Sequence, residues 1–129
     1  MKRLILILSL LATPALSQSV PLKEVEHVRE GLITAGMALK IDEECSSVTV
    51  RMLRGLAFLN GLRSHAEGLG YTDAQIEAHL DDKAEEMRLR AIANDRLAAK
   101  GAVVGDAASY CAVGEAEMAA GSQLGRLLR

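Results

Sequence analysis

The chain has 129 residues, of which 50% are hydrophobic, 25% charged and 2% aromatic, and its formal net charge is −2. This length predicts a single domain, and the apolar fraction is too high for an intrinsically disordered chain. No uninterrupted apolar run is long enough to cross a bilayer as a helix of the mature protein, so we expect no membrane span.

The first 17 residues have the layout of a secretory signal peptide. Lys2-Arg3 gives a positive start, an apolar run follows, and small residues stand at the spacing of a cleavage site. A buried N-terminal helix fits this segment less well, because Pro14 would end it. We therefore expect cleavage near Ser17-Gln18, which leaves residues 18–129 as one helical domain in the periplasm or outside the cell.

Export would change the charge of the chain. Cleavage removes Lys2 and Arg3 from the 15 basic residues, so 13 basic residues face 17 acidic ones and the net charge becomes −4. Nucleic acids and anionic lipid headgroups are bound through clustered Lys and Arg side chains. A mildly acidic domain is therefore a poor candidate for either partner.

Cys45 and Cys111 are the two cysteines of the chain. In an oxidising compartment, a count of two predicts one intramolecular disulfide, and so long a loop gives about 4 kcal/mol of stabilisation in the chain-entropy model. A redox-active pair is the alternative. Thiol oxidoreductases carry Cys-X-X-Cys beside a βαβ pattern, and the sequence has neither, so a structural disulfide is favoured.

Apolar residues recur with a helical period along the mature chain, and strands are not indicated. We predict an all-α fold, a small four- to five-helix bundle cross-linked by one disulfide. The first helix is expected from about Leu22 to Ile41, followed by an acidic connector at residues 42–44. Ser46 or Ser47 is expected to cap the second helix.

The second helix is predicted to reach about Leu69 and to include Val48 in its apolar stripe. Its apolar arc is so wide that a position at the centre of the bundle is expected. Three glycines interrupt it and predict close approach of its backbone to a neighbouring helix: Gly55, Gly61 and Gly68.

Capping patterns mark the helices that follow. Thr72 and Gln75 form a capping box, and their helix is expected to bend near Asp81-Asp82 and to continue to about Lys100. After a glycine-containing loop, Asp106 is expected to cap a last helix that runs to the end of the chain. Between these points, the pairing of Glu85 with Arg88 and of Glu86 with Arg90 indicates a solvated helix face.

The motifs of common enzymes are absent from the sequence. It has no phosphate-binding loop, no nucleophile elbow and no His-Glu-x-x-His pair. A single Glu24-x-x-His27 step is present, whereas di-iron bundles use two such steps on facing helices. We therefore expect no enzymatic activity, no catalytic residue, no metal site and no cofactor.

A few apolar residues are predicted to contact a protein partner. Phe58 is either an exposed anchor for that partner or a knob into a neighbouring helix, and Tyr71 is a second aromatic candidate. The tail is amphipathic through Leu124, Leu127 and Leu128. The alternative for the tail is a last turn docked on the core.

Several landmarks are spread over most of the mature chain: Cys45, Leu69-Gly70-Tyr71-Thr72, Gly105-Asp106, Ser109-Tyr110-Cys111 with Gly114, and Gly125-Arg126-Leu127-Leu128. In these landmarks the chain resembles an uncharacterised family of small exported all-helical bacterial proteins with one cysteine pair. Such proteins look like ones encoded near genes for the respiratory NADH:quinone oxidoreductase. The resemblance implies an accessory or assembly role and carries over no catalytic residue.

The leading hypothesis is a non-enzymatic interaction or accessory module of the cell envelope. One alternative is a periplasmic acid-stress holdase, because protonation of the 17 acidic residues would weaken tertiary packing below about pH 3–4. Another alternative is a binder of a small apolar ligand between the helices, since the core is rich in Leu, Ala and Met.

The intact mass of the protein tests both export and the disulfide. We expect a mass that starts at Gln18 and is lower by two hydrogens than the mass of the reduced chain. Reduction followed by alkylation should then label Cys45 and Cys111. A full-length mass with two freely alkylated thiols would contradict both expectations.

Overall fold

The computed structural model of the protein describes residues 20–129. A 3-10 turn at Leu22–Glu24 leads into six α-helices: α1 Glu26–Glu44, α2 Met52–Gly68, α3 Asp73–Leu80, α4 Lys83–Ala99, α5 Ala107–Ala120 and α6 Gln123–Arg126. The predicted all-α bundle is confirmed. The predicted signal peptide and its Ser17-Gln18 cleavage site lie outside the described residues. In the part of the chain that is described, no helix is long and apolar enough to cross a membrane.

The first long helix, α1, forms the centre of the fold. It packs against α2, α4, α5 and α6. Its buried face follows the helical period, includes Ile33 and Ile41 among the largest fully enclosed side chains, and carries these apolar residues: Val28, Ile33, Met37, Ala38 and Ile41. Burial of a large aliphatic side chain contributes about 1.5–3 kcal/mol, so α1 makes a substantial contribution to the stability of the core.

The bounds of α1 differ from the expected ones at both ends. Val25 is extended and separates the 3-10 turn from the helix. At the other end the expected acidic connector is wrong, because residues 42–44 continue the helix. The Lys40 ammonium donates to Glu44 at 2.7 Å one turn later, which supports that last turn.

The connection from α1 to α2 is extended, so the expected cap at Ser46 or Ser47 is wrong. Thr49 and Arg129 exchange two main-chain hydrogen bonds of 2.9 Å, and the Arg51 N–H donates to the Leu127 carbonyl at 2.7 Å. This pairing with the C-terminal residues satisfies backbone groups that a helix would otherwise use. It also buries Val48, which belongs to the core and not to α2.

The predicted disulfide is confirmed. It joins Cys45, just after α1, to Cys111 in α5, with the two Cα atoms 5.2 Å apart and a sequence separation of 66. Cys45 is buried beside Val48 in the main core cluster. The covalent bond therefore fixes the end of α1 to the helix that precedes the C-terminal segment.

The central position expected for α2 is wrong, because α2 lies at the surface. Its buried residues are Leu62 and Ala66 alone. It runs antiparallel to α1: the rings of His27 and His65 lie 4.3 Å apart between centroids, and Leu62 packs over Gly31. Its other face leaves four large apolar side chains exposed: Met52, Leu53, Leu56 and Leu59.

The glycines of α2 do not bring its backbone against a neighbour, as the sequence predicted. A Cβ atom at Gly61 or Gly68 would meet nothing within 4 Å, and one at Gly55 would make only ordinary contact with Val50. Close approach occurs elsewhere, at Gly31 under Leu62 and at Gly125 against the backbone of α5.

Local capping chemistry sets the remaining boundaries. The capping box of Thr72 and Gln75 is present, and the expected bend is a full break at which the Asp82 side chain caps α4. Asp106 caps α5 as predicted. The last helix is not continuous, because Gly121 adopts a left-handed φ of 64° and ends α5 before α6 begins.

Two glycine substitutions test the close packing of α6 on α5. Gly125→Ala would place its Cβ in the Glu117 carbonyl, so we expect destabilisation of about 1–3 kcal/mol. The matched Gly61→Ala faces open space inside a helix and should stabilise the protein by about 0.5–1 kcal/mol. Urea unfolding midpoints measure both changes. Equal midpoint shifts for the two variants would contradict the packing of α6.

Candidate binding groove

The residues predicted for partner contact lie mostly inside the molecule. Leu124, Leu127 and Leu128 are buried in the main core cluster, so the docked last turn describes the tail. Tyr71 is buried in a second cluster, and its hydroxyl donates to the Val20 carbonyl. Phe58 is half-buried against the main core, as a knob into a neighbouring helix would be. These five side chains hold the fold together in this structure.

A different surface carries a concave feature with an apolar floor. A groove of about 400 Å³ opens between α1, α2, the end of α3 and α4. Its floor is apolar and half-buried or buried, and consists of Leu32, Ala35, Gly36, Leu89 and Ala93. We call this feature the α1–α4 groove.

Three leucines form the lip of the α1–α4 groove. Leu39 is 60% exposed, Leu80 50% and Leu59 40%, although the apolar pattern of the sequence places all three inward. Each belongs to a different helix, so folding brings them together from distant parts of the chain. The sequence contains one signal for such a surface, the two apolar faces of α2. A neighbouring helix covers one of these faces, so the other is left exposed.

The rim of the groove is charged, and its charges pair with each other. The Arg88 guanidinium donates to both oxygens of Glu85, at 2.9 and 2.6 Å, and these bonds hold the pKa of Glu85 below its ordinary value. Glu85 is only 6% exposed, so the expectation of a solvated face is wrong there. Arg90 and Glu86 pair at 2.9 Å on the exposed side, as the sequence predicted.

Lys40 completes the rim at the end of α1. It donates to Glu44 and, at 3.5 Å, to Glu43, and the bond to Glu44 raises the pKa of the Lys40 ammonium. The rim thus carries cations and anions that neutralise each other within the groove. This arrangement favours an occupant with an apolar face and mixed polar flanks over one with a single strong charge.

The titratable side chains of the groove are few and mostly paired. Within residues 20–129, no group of three or more His, Cys, Asp and Glu side chains is placed to hold a metal ion. Among the described histidines, His79 lines the groove, whereas the rings of His27 and His65 lie tilted against each other outside it. The rim carboxylates of Glu85 and Glu86 are each engaged by a cation.

Two ion pairs hold α4 to its neighbours behind the groove. Arg96 binds both oxygens of Glu30 on α1, at 2.5 and 3.0 Å, and these bonds lower the pKa of Glu30. Lys100 donates to Glu117 on α5 at 2.7 Å, and this bond, followed by that of Ser122, lowers the pKa of Glu117. The walls of the groove therefore depend in part on ionised carboxylates.

Comparison with known proteins gives one match. The profile of a family described as a family of unknown function, DUF5333, matches residues 20–129. Neither the curated proteins nor the solved structures contain a match to the chain. The match agrees with the resemblance to an uncharacterised family and assigns no activity to the groove.

The two ion pairs predict a specific acid sensitivity. A glutamate whose pKa is lowered by folding stabilises the protein at pH values above its pKa in the unfolded chain, about 4.3. This contribution is lost as the pH falls through the pKa of the folded state. Glu30→Gln with Glu117→Gln should therefore lower the free energy of unfolding at pH 7, by about 1 kcal/mol for each partly exposed pair, and flatten the loss of stability below about pH 4.

Urea unfolding between pH 3 and pH 7 measures this effect. Glu115→Gln is the matched control, because Glu115 is exposed and forms no ion pair within the described chain. An acid dependence as steep in the double variant as in the native protein would contradict the role of the two pairs.

Proposed function

Because the chain belongs to DUF5333, a family of unknown function, we propose its function from its own surface: a non-enzymatic interaction module of the cell envelope. Its partner is a protein that lays an amphipathic helix into the α1–α4 groove. The single observation that carries this proposal is the exposed leucine lip, Leu39, Leu59 and Leu80, around an apolar floor.

The shape of the groove suits a helix. Helices pack by placing the ridges of one into the grooves between others, and an amphipathic helix buries residues spaced by three or four positions in such a groove. The lip leucines come from three helices and would contact the two sides of the guest helix. Each leucine transferred from water contributes about 1.5–3 kcal/mol, so three of them suffice for a transient protein interaction.

The charges on the rim determine which charges a guest helix can carry. Lys40 and Arg90 are paired with acidic neighbours, so a guest helix with flanks of one sign would have to displace existing ion pairs. A guest helix with both acidic and basic flanks could form new ion pairs with the rim residues in place of those it breaks, so little free energy would be lost. We expect a partner helix with a leucine-rich face and no dominant net charge.

The proposed compartment is the envelope. Disulfides persist in oxidising compartments, and the Cys45–Cys111 bond supports this location together with the signal-peptide pattern of residues 1–17. The resemblance to exported proteins encoded near respiratory NADH:quinone oxidoreductase genes supports an accessory role beside a larger assembly. A soluble module that presents a groove suits such a role.

A second candidate function is the binding of a small apolar ligand in the same groove. A volume of about 400 Å³ falls within the range of ligand pockets, roughly 300–1,000 Å³. The exposed lip argues for the helix, because the leucines would remain in water around a small ligand that fills the floor. Native mass spectrometry of the purified protein distinguishes helix binding from ligand binding. A small molecule that stays bound to the protein would support ligand binding.

The acid-stress holdase is a third candidate. The ion pairs of Glu30 and Glu117 are the observation that favours it, since their loss in acid would loosen α4 and enlarge the apolar surface. Suppression of client aggregation at pH 3 and not at pH 7 would support the holdase. Retention of native packing at pH 3 would exclude it.

Site-specific photocrosslinking tests the proposed function. A photoreactive side chain at Leu59 should give one discrete protein adduct in the cell envelope. Leu80→Asp in the same chain should reduce that adduct about tenfold or more, the effect of losing one buried leucine contact.

The same photoreactive side chain at Val104 is the control, because Val104 is 91% exposed and lies outside the groove. Identical adducts at Leu59 and Val104, or an adduct that Leu80→Asp leaves unchanged, would contradict binding in the groove. Circular dichroism of each variant shows that the helices are intact.

A further inference from the structure

A second surface lies at the start of α2, away from the lip of the groove. Three arginines from two distant parts of the sequence line an open concavity there, Arg51, Arg54 and Arg129, and a fourth, Arg126, adjoins it through its backbone carbonyl. Among them stand three exposed apolar side chains: Met52, Leu53 and Leu56. We call this set of seven residues the basic–apolar patch.

The pairing of the connector with the C-terminal residues assembles the patch. The Arg51 Nε donates to the Leu128 carbonyl at 2.8 Å, and the Arg54 Nη1 donates to the Arg126 carbonyl at 3.3 Å. These bonds join Arg51, just before α2, and Arg54, in its first turn, to the C-terminal segment that carries Arg126 and Arg129. Each guanidinium has five N–H donors, so Arg51 and Arg54 retain further donors for a ligand.

The arginines of the patch have no acidic partner within the described chain, since none takes part in an ion pair there. The nearby acidic end of α1 is engaged elsewhere. Asp42 accepts from the Val50 N–H at 3.0 Å, and Glu43 and Glu44 bind Lys40. The patch therefore concentrates positive charge on a protein whose overall charge is negative.

The apolar members of the patch project outward. Leu53 is 83% exposed and Met52 66%, and Leu56 follows one turn later on the same side of α2. The concavity in this region is open, and its apolar lining residues, Met52, Leu53 and Ala57, are exposed, whereas the floor of the groove is half-buried or buried. Protruding apolar side chains ringed by arginines are typical of surfaces that lie on a bilayer, with apolar tips among the acyl chains and guanidinium groups at the phosphates.

We propose that the basic–apolar patch docks the protein on the surface of an anionic phospholipid bilayer. The arginines bind headgroup phosphates, while Leu53, Met52 and Leu56 enter the interface. This inference does not depend on the groove, and it differs from the expectation drawn from the overall charge. An average over the whole chain hides the local cluster, and electrostatic attraction acts over about 10 Å or less in physiological salt.

Vesicle sedimentation tests the proposal with the exported protein, whose N-terminus is first verified by intact mass. We expect binding to vesicles of phosphatidylethanolamine and phosphatidylglycerol, weak binding to phosphatidylcholine vesicles, and release as salt is raised. Arg54→Gln should weaken binding about fivefold, the contribution of one basic residue at an anionic surface. Leu53→Asp should weaken it about tenfold or more.

Two variants outside the patch serve as matched controls. Arg90→Gln removes an exposed arginine from α4, and Val104→Asp adds a charge at an exposed apolar position. Neither should change vesicle binding. The absence of binding to anionic vesicles, equal binding to phosphatidylcholine, or equal loss in control and patch variants would overturn the proposal.

The variant Leu80→Asp, which changes the groove, tests bilayer docking separately from the proposed function. Leu80→Asp should reduce the Leu59 adduct about tenfold or more and leave vesicle binding intact. If Leu53→Asp and Arg54→Gln instead remove the protein adduct and vesicles are not bound, the patch contacts an acidic protein surface, and bilayer docking is wrong.

Discussion

The fold depends on the anchoring of the connector between α1 and α2. The Cys45–Cys111 bond fixes its beginning to α5, and the hydrogen bonds between Thr49 and Arg129 fix its middle to the C-terminal residues. Val48 is buried between these two points. With the connector held in this way, the core closes around α1, α4, α5 and α6, and α2 has to start at the surface. The exposed face of α2 follows from this constraint.

Both proposed binding surfaces use that exposed face. Met52, Leu56 and Leu59 recur at intervals of four and three residues, so they form one stripe along α2. One end of the stripe meets the arginines brought by the C-terminal segment, and the other forms part of the groove lip. A protein docked through the patch would therefore hold its groove near the bilayer surface, where helices of membrane-associated partners are found.

The sequence predicts the parts of this structure that short-range chemistry decides. Three features can be predicted from a local pattern or from the compartment, and all three are present: the capping box of Thr72 and Gln75, the cap at Asp106 and the pairing of the two cysteines. Val48 is different, because its position fits a helical stripe as well as an extended segment. The choice rests on hydrogen bonds to residues about 80 positions away, which pattern reasoning does not see. The groove was missed for the same reason, since Leu39, Leu59 and Leu80 meet only after folding.

The position of the disulfide in the chain also determines how the molecule would respond to mechanical force. Helices α2, α3 and α4 lie between the two cysteines, whereas α1 precedes Cys45 and α6 follows Cys111. Tension applied to the two ends would pass through the sulfur–sulfur bond, and the loop from residue 46 to residue 110 would carry no load. Helix α1 would unravel before α2, α3 or α4 could extend. Because α1 forms one wall of the groove, a pull on the N-terminal end would open the groove while the covalent loop stayed closed.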